Sequence, residues 1–389
     1  MQLVDPSLWR NAGLTNPEQY IDRFLRIEPM PVLGTARGNL EIAAACTGFV
    51  NLHELRDLLF RYAEFKTGEQ VGLTLPTPKN RVETIAMSEQ QVGLYETLRE
   101  KIEELSGKRG SSILGALSQM SLVAIHPGLY RDTATDETKI TYRAALNDLS
   151  IDPHSPKFDA CVRRIRKTMD AAVSCPTNPA LRDPSVGTAD HVRGASSCGH
   201  IIFCEPVAAH AWLKRVLMEA GVADARIATI NAETAKGGEE RTQLARAFNG
   251  DPDEGIEPQY DVVIANQVAY EGVDLQTRTC EIHHIDLPWE PATLQQRNGR
   301  GWRQGNCFPI ITLNYYIAAR SADGPRFAMI DGKAHWMGEL LSSANRETNN
   351  PAMSLTGDRS AQLAMLSANP EEAERKLEAM KTAARAEAI

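Results

Sequence analysis

The segment that decides the fold is Gln296–Gly305, with the sequence QRNGRGWRQG, which follows an apolar run and is interrupted by glycines. It places Arg300 and Arg303 three residues apart, and residues at this spacing share one face of a helix. Planar guanidinium groups match pairs of phosphate oxygens better than an ammonium group does. The spacing therefore favours a clamp that holds one polyphosphate. For a bare arginine pair, a solvated basic helix end is an equally good interpretation.

Two short apolar runs precede this segment. The first, Asp261–Asn266, is followed by the polar, glycine-bearing Tyr270–Leu275, and the second lies within Ile282–Trp289. Short apolar runs with polar tips are typical of parallel strands in an α/β sheet. Because ligands of such sheets bind at the carboxyl ends of the strands, we expect these tips to line a ligand crevice.

Together these segments resemble motifs V and VI of the superfamily-two helicases. Gln296–Gly305 contains every fixed position of the motif VI pattern Q-x-x-G-R-x-x-R-x-G. Upstream, four segments have the order found in the second RecA-like lobe of Swi/Snf-type DNA translocases. They are a lysine-bearing helix start (Ser155–Phe158), an apolar strand (His200–Pro206), a helix (Ala208–Ala220) and another strand (Arg226–Ala232). In that family motif IV is an apolar strand that ends in phenylalanine, and Phe203 stands at this place.

The N-terminal third resembles the Swi/Snf subtype more than helicases in general. Leu75–Lys79 and Met87–Tyr95 are similar to the family's "LP-x-K … S-x-x-Q-x-x-L-Y" junction, and Leu117–Leu129 resembles its helical protrusion. The resemblance covers roughly residues 1 to 320. Within motif V, Ala269 and Tyr270 replace glycines of the family.

The resemblance implies a role for each matched residue. Arg300 and Arg303 are expected to reach the γ-phosphate of ATP as catalytic arginine fingers. Gln296 is expected at the interface between two lobes, and Gly299 is expected to permit close backbone approach to the nucleotide.

Two residues of motif V are expected to couple the nucleotide cleft to DNA, namely Gly272 and Asp274. With Gly299 they form the predicted cofactor-binding set. Asp274 departs from the family, in which asparagine is common at this position.

The other half of an ATPase site is absent from the sequence. The chain contains neither the phosphate loop G-x-x-x-x-G-K-[ST] nor the acidic D-E-x-[HD] motif that holds magnesium. Ser106–Ser112 carries glycines and a lysine, but no strand precedes it, and we interpret it as a loop between helices. We therefore expect ATP with Mg²⁺ as cofactor, the metal being held by a separate first RecA-like lobe. The chain would be the C-terminal half of a motor, as a split gene product or a fragment.

Composition agrees with a globular protein of two or three domains. The chain has 389 residues, 42% of them hydrophobic and 24% charged, and a net charge of −8. The sequence shows neither a membrane-length apolar run nor a secretory signal, so we predict a cytoplasmic protein without a membrane partner. The acidic balance does not exclude a DNA partner, since a basic groove on one face is enough.

Two groups of residues have a less specific interpretation. The basic cluster Arg163–Lys167 is as consistent with a solvated helix face as with DNA contact. The seven cysteines form no C-x-x-C pair, and Cys198, His200 and Cys204 are predicted to flank a buried strand, so we assign no metal site. His283 and His284 are expected to be hydrogen-bonded core histidines.

The predicted fold class is α/β, a RecA-like parallel sheet flanked by helices, with a mainly helical N-terminal region and a helical C-terminal tail. The predicted domains are 1–150 (helical linker and protrusion), 151–330 (helicase C-terminal lobe) and 331–389 (helical brace and charged tail). The predicted function is the C-terminal lobe of a Swi/Snf-type, ATP-dependent translocase of double-stranded DNA. The alternatives are a non-catalytic nucleic-acid or protein-binding module that retains the fold, and a lobe of an RNA-directed helicase.

Overall fold

The computed structural model describes residues 5, 7–33, 40–62, 64, 66, 71–105, 113–130, 152–174, 198–250, 254–270, 272–324, 326–327, 330–331, 375, 378–379 and 382. The predicted loops at Ser106–Ser112 and Ser174–Ser197 and the predicted tail after residue 331 lie almost entirely outside these residues. By internal contacts the chain divides into two compact units. One unit comprises Met1–Val71, Arg99–Ile113 and Gly324–Ile389, and the other comprises Gly72–Leu98 and Leu114–Asp323. The domain boundaries at residues 150 and 330 stay predictions.

The first unit contains three short helices and a β-ribbon. Its elements are α1 (Leu8–Asn11), α2 (Pro17–Phe24), β1 (Leu25–Leu33), β2 (Leu40–Phe49) and α3 (Leu52–Phe60). Helix α2 begins at a capping box, in which the Asn16 side chain accepts from Gln19 N (2.9 Å) and the Gln19 side chain accepts from Asn16 N (3.3 Å). Strands β1 and β2 pair antiparallel. The buried core residues are Leu8, Leu14, Phe24, Leu52, Leu55 and Leu58.

The second unit is built on a six-stranded sheet in which every pair of neighbours is parallel. Its strands are β3 (Thr77–Ile85), β4 (Gly199–Phe203), β5 (Ile227–Ile230), β6 (Val262–Ala265), β7 (Thr279–His284) and β8 (Ile310–Ala318). Their order across the sheet is β3-β8-β7-β4-β6-β5. The interior strands β4, β6 and β7 are buried at every residue, as expected for a parallel sheet covered on both faces. This confirms the predicted RecA-like α/β class.

Helices connect and flank these strands. They are α4 (Glu89–Leu105), α5 (Ile113–Ile125), α6 (Pro156–Ser174), α7 (Val207–Glu219), α8 (Gly238–Asn249) and α9 (Pro291–Asn298). Helix α6 starts where the sequence predicted, because the Ser155 hydroxyl accepts a hydrogen bond from Phe158 N (3.3 Å) and Pro156 occupies the first turn. Helix α6 packs against α7 and against β8 and β3. No described helix is long and apolar enough to cross a bilayer.

Strand β3 was not foreseen in the mainly helical N-terminal region. Its sequence, TPKNRVETI, has no apolar alternation, and most of its residues are exposed. It lies at the edge of the sheet, where one neighbour is enough, and it pairs with β8 along its whole length. Tertiary pairing therefore makes this strand from residues whose own pattern does not predict one.

Candidate nucleotide-phosphate site

The predicted arginine clamp surrounds a pocket at the end of α9. Pro291 opens this helix, and Gly299 follows its last residue. The pocket has a volume of about 450 Å³ and is lined by Ala292, Gln295, Gln296, Gly299, Arg300, Trp302 and Arg303. Gln296, Gly299, Arg300 and Arg303 thus lie together, as the motif VI resemblance requires.

Arg300 is held in place by backbone carbonyl groups. Its Nη1 donates to Val273 O (2.8 Å) and its Nε to Gln296 O (3.4 Å), and its side chain is only 16% exposed. Its own carbonyl accepts from Leu275 N (3.1 Å). These bonds join motif VI to motif V and fix the direction of one guanidinium group at the pocket.

Arg303 is held by a charged hydrogen bond to Asp274. Its Nη1 pairs with Oδ1 of Asp274, and the same oxygen lies 3.9 Å from Nη1 of Arg300. The side chains of Arg303 and Asp274 are 51% and 58% exposed, and exposed ion pairs contribute little free energy. The Arg303 guanidinium can therefore exchange this carboxylate for a phosphate at small cost.

The two glycines of the predicted cofactor-binding set have different conformations. Gly272 has φ +69°, in the left-handed region that favours glycine. Gly299 is helical, and its amide closes α9 on Gln295 O (2.8 Å). A Cβ at Gly299 would stand 3.2 Å from that carbonyl oxygen, so this position is tight as well as pocket-lining.

The arginine clamp lies near the amino ends of β7 and β8. The strand pattern predicted a ligand crevice at the carboxyl ends of the strands. Asp274 belongs to the segment that enters β7, and Arg303 to the segment that enters β8. Between them, Asn306 Nδ2 donates to the carbonyl of Thr279, the first residue of β7 (2.8 Å). The expectation that the Tyr270–Leu275 tip lines a carboxyl-end crevice was therefore wrong for Asp274, because the chain passes from the carboxyl ends to the amino ends of the strands between Tyr270 and Asp274.

At the carboxyl ends of the strands lies a buried network of hydrogen bonds and ion pairs that the sequence did not predict. Its centre is Arg297, which donates from Nε to the Tyr270 hydroxyl (2.6 Å) and from Nη1 to Asp286 O (2.8 Å). Its Nη2 reaches Asp286 Oδ2 (3.0 Å) and Glu205 Oε2 (3.3 Å). The guanidinium carbon also lies over the rings of Tyr270 and Phe203, at 5.2 and 5.6 Å from their centroids.

This network sets the ionisation of its members. Burial alone would raise the pKa of Asp286, but the charge and hydrogen bonds of Arg297 outweigh it and hold that pKa below its ordinary value. The pKa of Tyr270 is raised, first by burial. The sequence held one signal of this arrangement, since Tyr270 replaces a family glycine and its ring and hydroxyl both contact Arg297.

The pocket residues differ in how well they suit phosphate and the magnesium ion that accompanies ATP. Two guanidinium groups reach it, and both match phosphate oxygens. Magnesium requires oxygen ligands, usually carboxylates, and none of the described residues that line the pocket is acidic. The site therefore fits the phosphates of a nucleotide and does not fit the metal.

Residues 194–305 match the model of the helicase conserved C-terminal domain. This part of the chain is a helicase C-terminal lobe. The match includes the motif V and motif VI segments whose contacts form the arginine clamp, and it confirms the helicase assignment made from those motifs.

Three proteins are similar to this chain over different shares of their length. Defense against restriction protein B of Escherichia phage P1 is 23% identical over 88% of the chain, and the chain spans 19% of that protein's length. The C-terminal part of the Fun30 ATPase domain has a TM-score of 0.41 at 13% identity and covers 66% of this chain and 90% of that one. The Sulfolobus solfataricus SWI2/SNF2 ATPase core in complex with double-stranded DNA has a TM-score of 0.44 at 15% identity, over 76% of this chain and 53% of that one.

The basic cluster Arg163–Lys167 on α6 was predicted to be either a solvated helix face or a DNA contact, and its arginines have different surroundings. Arg164 turns inward and pairs with Glu281 of β7, and Arg166 pairs with Asp170 one turn along the helix (2.7 Å). Arg163 and Lys167 are exposed. At most part of this cluster is therefore available to a nucleic acid.

Proposed function

We propose that this chain supplies the arginine-bearing lobe of an ATP-dependent, Swi/Snf-type DNA translocase or helicase. It works with a first RecA-like lobe that carries the phosphate loop and holds the magnesium ion. The observation that carries this proposal is the convergence of Arg300 and Arg303 on one pocket, both tied to the motif V segment at residues 273–274. The family match over residues 194–305 supports it independently.

The two arginines have complementary tasks. Arg300 is fixed by Val273 O and Gln296 O, so it presents its charge without having to be ordered when the nucleotide binds. Arg303 exchanges its Asp274 partner for the transferring phosphoryl group as the lobes close. Arginines aimed at the charge of a phosphoryl-transfer transition state act by electrostatic stabilisation.

Asp274 gives this arrangement a switch. While no phosphate is bound, it holds the Arg303 guanidinium beside Arg300, where two like charges would otherwise repel each other. When Arg303 turns to phosphate, Asp274 is released together with the segment that leads into β7. Its carbonyl also accepts from Asn249 Nδ2 at the end of α8 (2.8 Å), so movement of this segment reaches a second helix. Motif V would in this way couple the nucleotide to the DNA.

Reconstitution of the ATPase tests the proposal. The purified chain alone should release no phosphate from ATP, because it lacks the groups that bind the β-phosphate and the metal. Addition of a cognate lobe that bears a phosphate loop should produce DNA-stimulated hydrolysis. DNA-stimulated turnover by the chain alone, at a rate typical of motors, would refute the division of the site between two lobes.

The non-catalytic module is the second reading, and DNA binding separates it from the first. A translocase lobe contacts phosphates, so its affinity should vary little with sequence and should fall with salt on a log–log slope set by the number of phosphates neutralised. Fluorescence anisotropy on two unrelated duplexes across a salt series measures both properties. Strong preference for one duplex with a flat salt response would indicate a base-reading module instead.

A further inference from the structure

The parallel sheet contains a second cluster of functional side chains, on neighbouring strands and away from the arginine clamp. His200 of β4 is beside Glu281 of β7 in the register, and His283 stands two residues further along β7 on the same face. His200 and His283 are fully buried and Glu281 is 2% exposed. Among the described residues these three form a group whose ligand atoms all lie within 4.8 Å of one another.

The distances in this cluster are those of a metal coordination sphere. His200 Nδ1 and His283 Nε2 are 3.3 Å apart, and Glu281 Oε2 lies 3.7 Å from the first and 3.5 Å from the second. Tetrahedral zinc binds nitrogen and carboxylate oxygen at about 2.0–2.1 Å, which separates its ligand atoms by about 3.3–3.4 Å. The point at equal distance from the three atoms within their plane is about 2.0 Å from each, so an ion with bonds of about 2.1 Å would lie about half an ångström out of that plane, on the side where a fourth ligand binds.

Hydrogen bonds among the three side chains alone explain the cluster less well than a bound metal ion does. One hydrogen bond can join the two imidazole rings, but it leaves Glu281 Oε2 without a hydrogen-bond partner in the described part of the chain. Both nitrogens are beyond ordinary hydrogen-bond distance of that oxygen. A buried carboxylate oxygen without a partner costs free energy. A bound cation would satisfy this oxygen and both imidazole lone pairs at once.

The groups around the cluster would orient its ligands. His283 Nδ1 lies 2.9 Å from the Tyr316 hydroxyl, so a hydrogen bond there leaves the Nε2 lone pair free to face the centre of the triangle. The other carboxylate oxygen, Glu281 Oε1, pairs with Arg164.

We propose that His200, Glu281 and His283 bind one zinc ion that ties β4 to β7 in the middle of the sheet. Two imidazoles and one carboxylate suit zinc, whereas magnesium and calcium require oxygen ligands. Three protein ligands leave a fourth position for water. This site differs from the one considered in the sequence, since Cys198 and Cys204 are not part of it. Because its ligands are buried, the ion is taken up during folding.

The test is zinc binding by the full 389-residue chain after it has been unfolded in chelator and refolded with or without zinc. Elemental analysis after dialysis should find one zinc per chain, and refolding with Co²⁺ should give the visible absorption of a tetrahedral site. Glu281→Gln and His283→Gln should each lower zinc affinity at least tenfold. His284→Gln is the matched control, because this neighbouring residue is equally buried but stacks on Phe203 and Tyr315 and bonds Asn298.

Two variants at the edge of the cluster keep the test decisive if a ligand variant fails to fold. Tyr316→Phe retains the ring but frees His283, and loss of such an outer partner lowers metal affinity by about 10–100-fold. Arg164→Gln removes the outer partner of Glu281 Oε1 and should lower zinc affinity in the same way. The proposal would be overturned if the wild type refolded with zinc contained no zinc, had the same thermal midpoint as the wild type refolded without zinc, and gave no tetrahedral Co²⁺ spectrum. Unchanged zinc affinity in Tyr316→Phe would overturn the assigned geometry.

Discussion

The guanidinium Nη2 of Arg297 lies 3.0 Å from Oδ2 of Asp286, and the two side chains are only 2% and 12% exposed. This pair joins α9 to the loop that leaves β7. Every nitrogen of the guanidinium has a hydrogen-bond acceptor, supplied by Tyr270, Glu205 or Asp286 itself. Arg297 lies within motif VI, between Gln296 and Arg300, and its contacts give it a structural task.

Replacement of Arg297 should destabilise the lobe strongly. Arg297→Met leaves the Asp286 carboxylate buried without its cation, and breaking a buried pair in this way costs about 3–5 kcal/mol. Arg166→Gln is the control, because the Arg166–Asp170 pair is exposed and such pairs contribute about 0–1 kcal/mol. Urea unfolding followed by tryptophan fluorescence measures both. Equal stability of the two variants would contradict the role given to Arg297.

Gly301 should tolerate no side chain. A Cβ there would stand 2.6 Å from Thr279 Cγ2 and 3.1 Å from Ile282 Cδ1, both on the buried strand β7. Gly301→Ala should therefore lower stability by about 1–3 kcal/mol through overpacking. Gly93→Ala is the matched control. Among the described residues, no atom outside its own helix backbone lies within 4 Å of the added Cβ, and because Gly93 is in α4 the change should raise stability by about 0.5–1 kcal/mol. A neutral Gly301→Ala variant in thermal unfolding would mean that the motif VI loop is not packed on β7 as described.

His154 should make stability depend on pH near neutrality. Its Nδ1 lies 2.6 Å from Asp159 and its Nε2 lies 2.8 Å from Glu219, so it bridges the start of α6 and the end of α7. The hydrogen bond to Asp159 is the main cause that raises its pKa above the ordinary 6.5. A histidine whose pKa is higher in the folded state than in the unfolded state stabilises the protein when it is protonated. This contribution is complete at pH values below the ordinary pKa and disappears as the pH rises through the folded-state pKa. Thermal midpoints between pH 5 and 9 should fall more for the wild type than for His154→Gln; parallel profiles would exclude the bridge.

The α/β class and the arginine clamp could be predicted because each depends on local pattern. Strands β4 and β6 are short, largely apolar runs, and the motif VI pattern identifies Arg300 and Arg303 from local sequence. The expectation that both arginines share a helix face was wrong, because α9 ends at Asn298 and they lie in the turns that follow it. Helix α6 was likewise marked by a serine and a proline at its start.

The rest depends on contacts between residues far apart in sequence. Strand β3 forms because β8 offers an edge, and Arg297 became structural through Asp286, Tyr270 and Glu205, the last of them 92 residues away. The cluster of His200 with Glu281 and His283 needs the register of β4 on β7, which alternation along one strand does not give. The position of Asp274 could not be predicted from motif V, because this segment begins near the carboxyl ends of the strands and ends near their amino ends.

The last prediction concerns Arg300 and Arg303 in a reconstituted two-lobe enzyme. In the proposed function, Arg300→Ala or Arg303→Ala removes a charge aimed at the transferring phosphoryl group, and arginine fingers of this kind raise turnover by about a thousandfold or more. Because this function has each arginine act in the transition state, turnover should fall while duplex affinity and folding stay near those of the wild type. Lysine should rescue poorly, because it lacks the fork that spans two oxygens.

The two positions should differ in how they respond to neighbouring changes. Arg303 depends on Asp274 for its resting position, so Asp274→Asn should alter ATP affinity through Arg303 and have no such effect in an Arg303→Ala background. Arg246→Ala is the control, because this exposed arginine of α8 pairs with Glu254 and is not among the residues that line the pocket. Steady-state ATPase rates and anisotropy on a duplex, measured for all variants, decide the matter. Wild-type turnover in both alanine variants, or loss of folding in both, would show that Arg300 and Arg303 are surface or structural residues, because a residue that contacts only the transition state changes turnover and leaves the folded lobe intact.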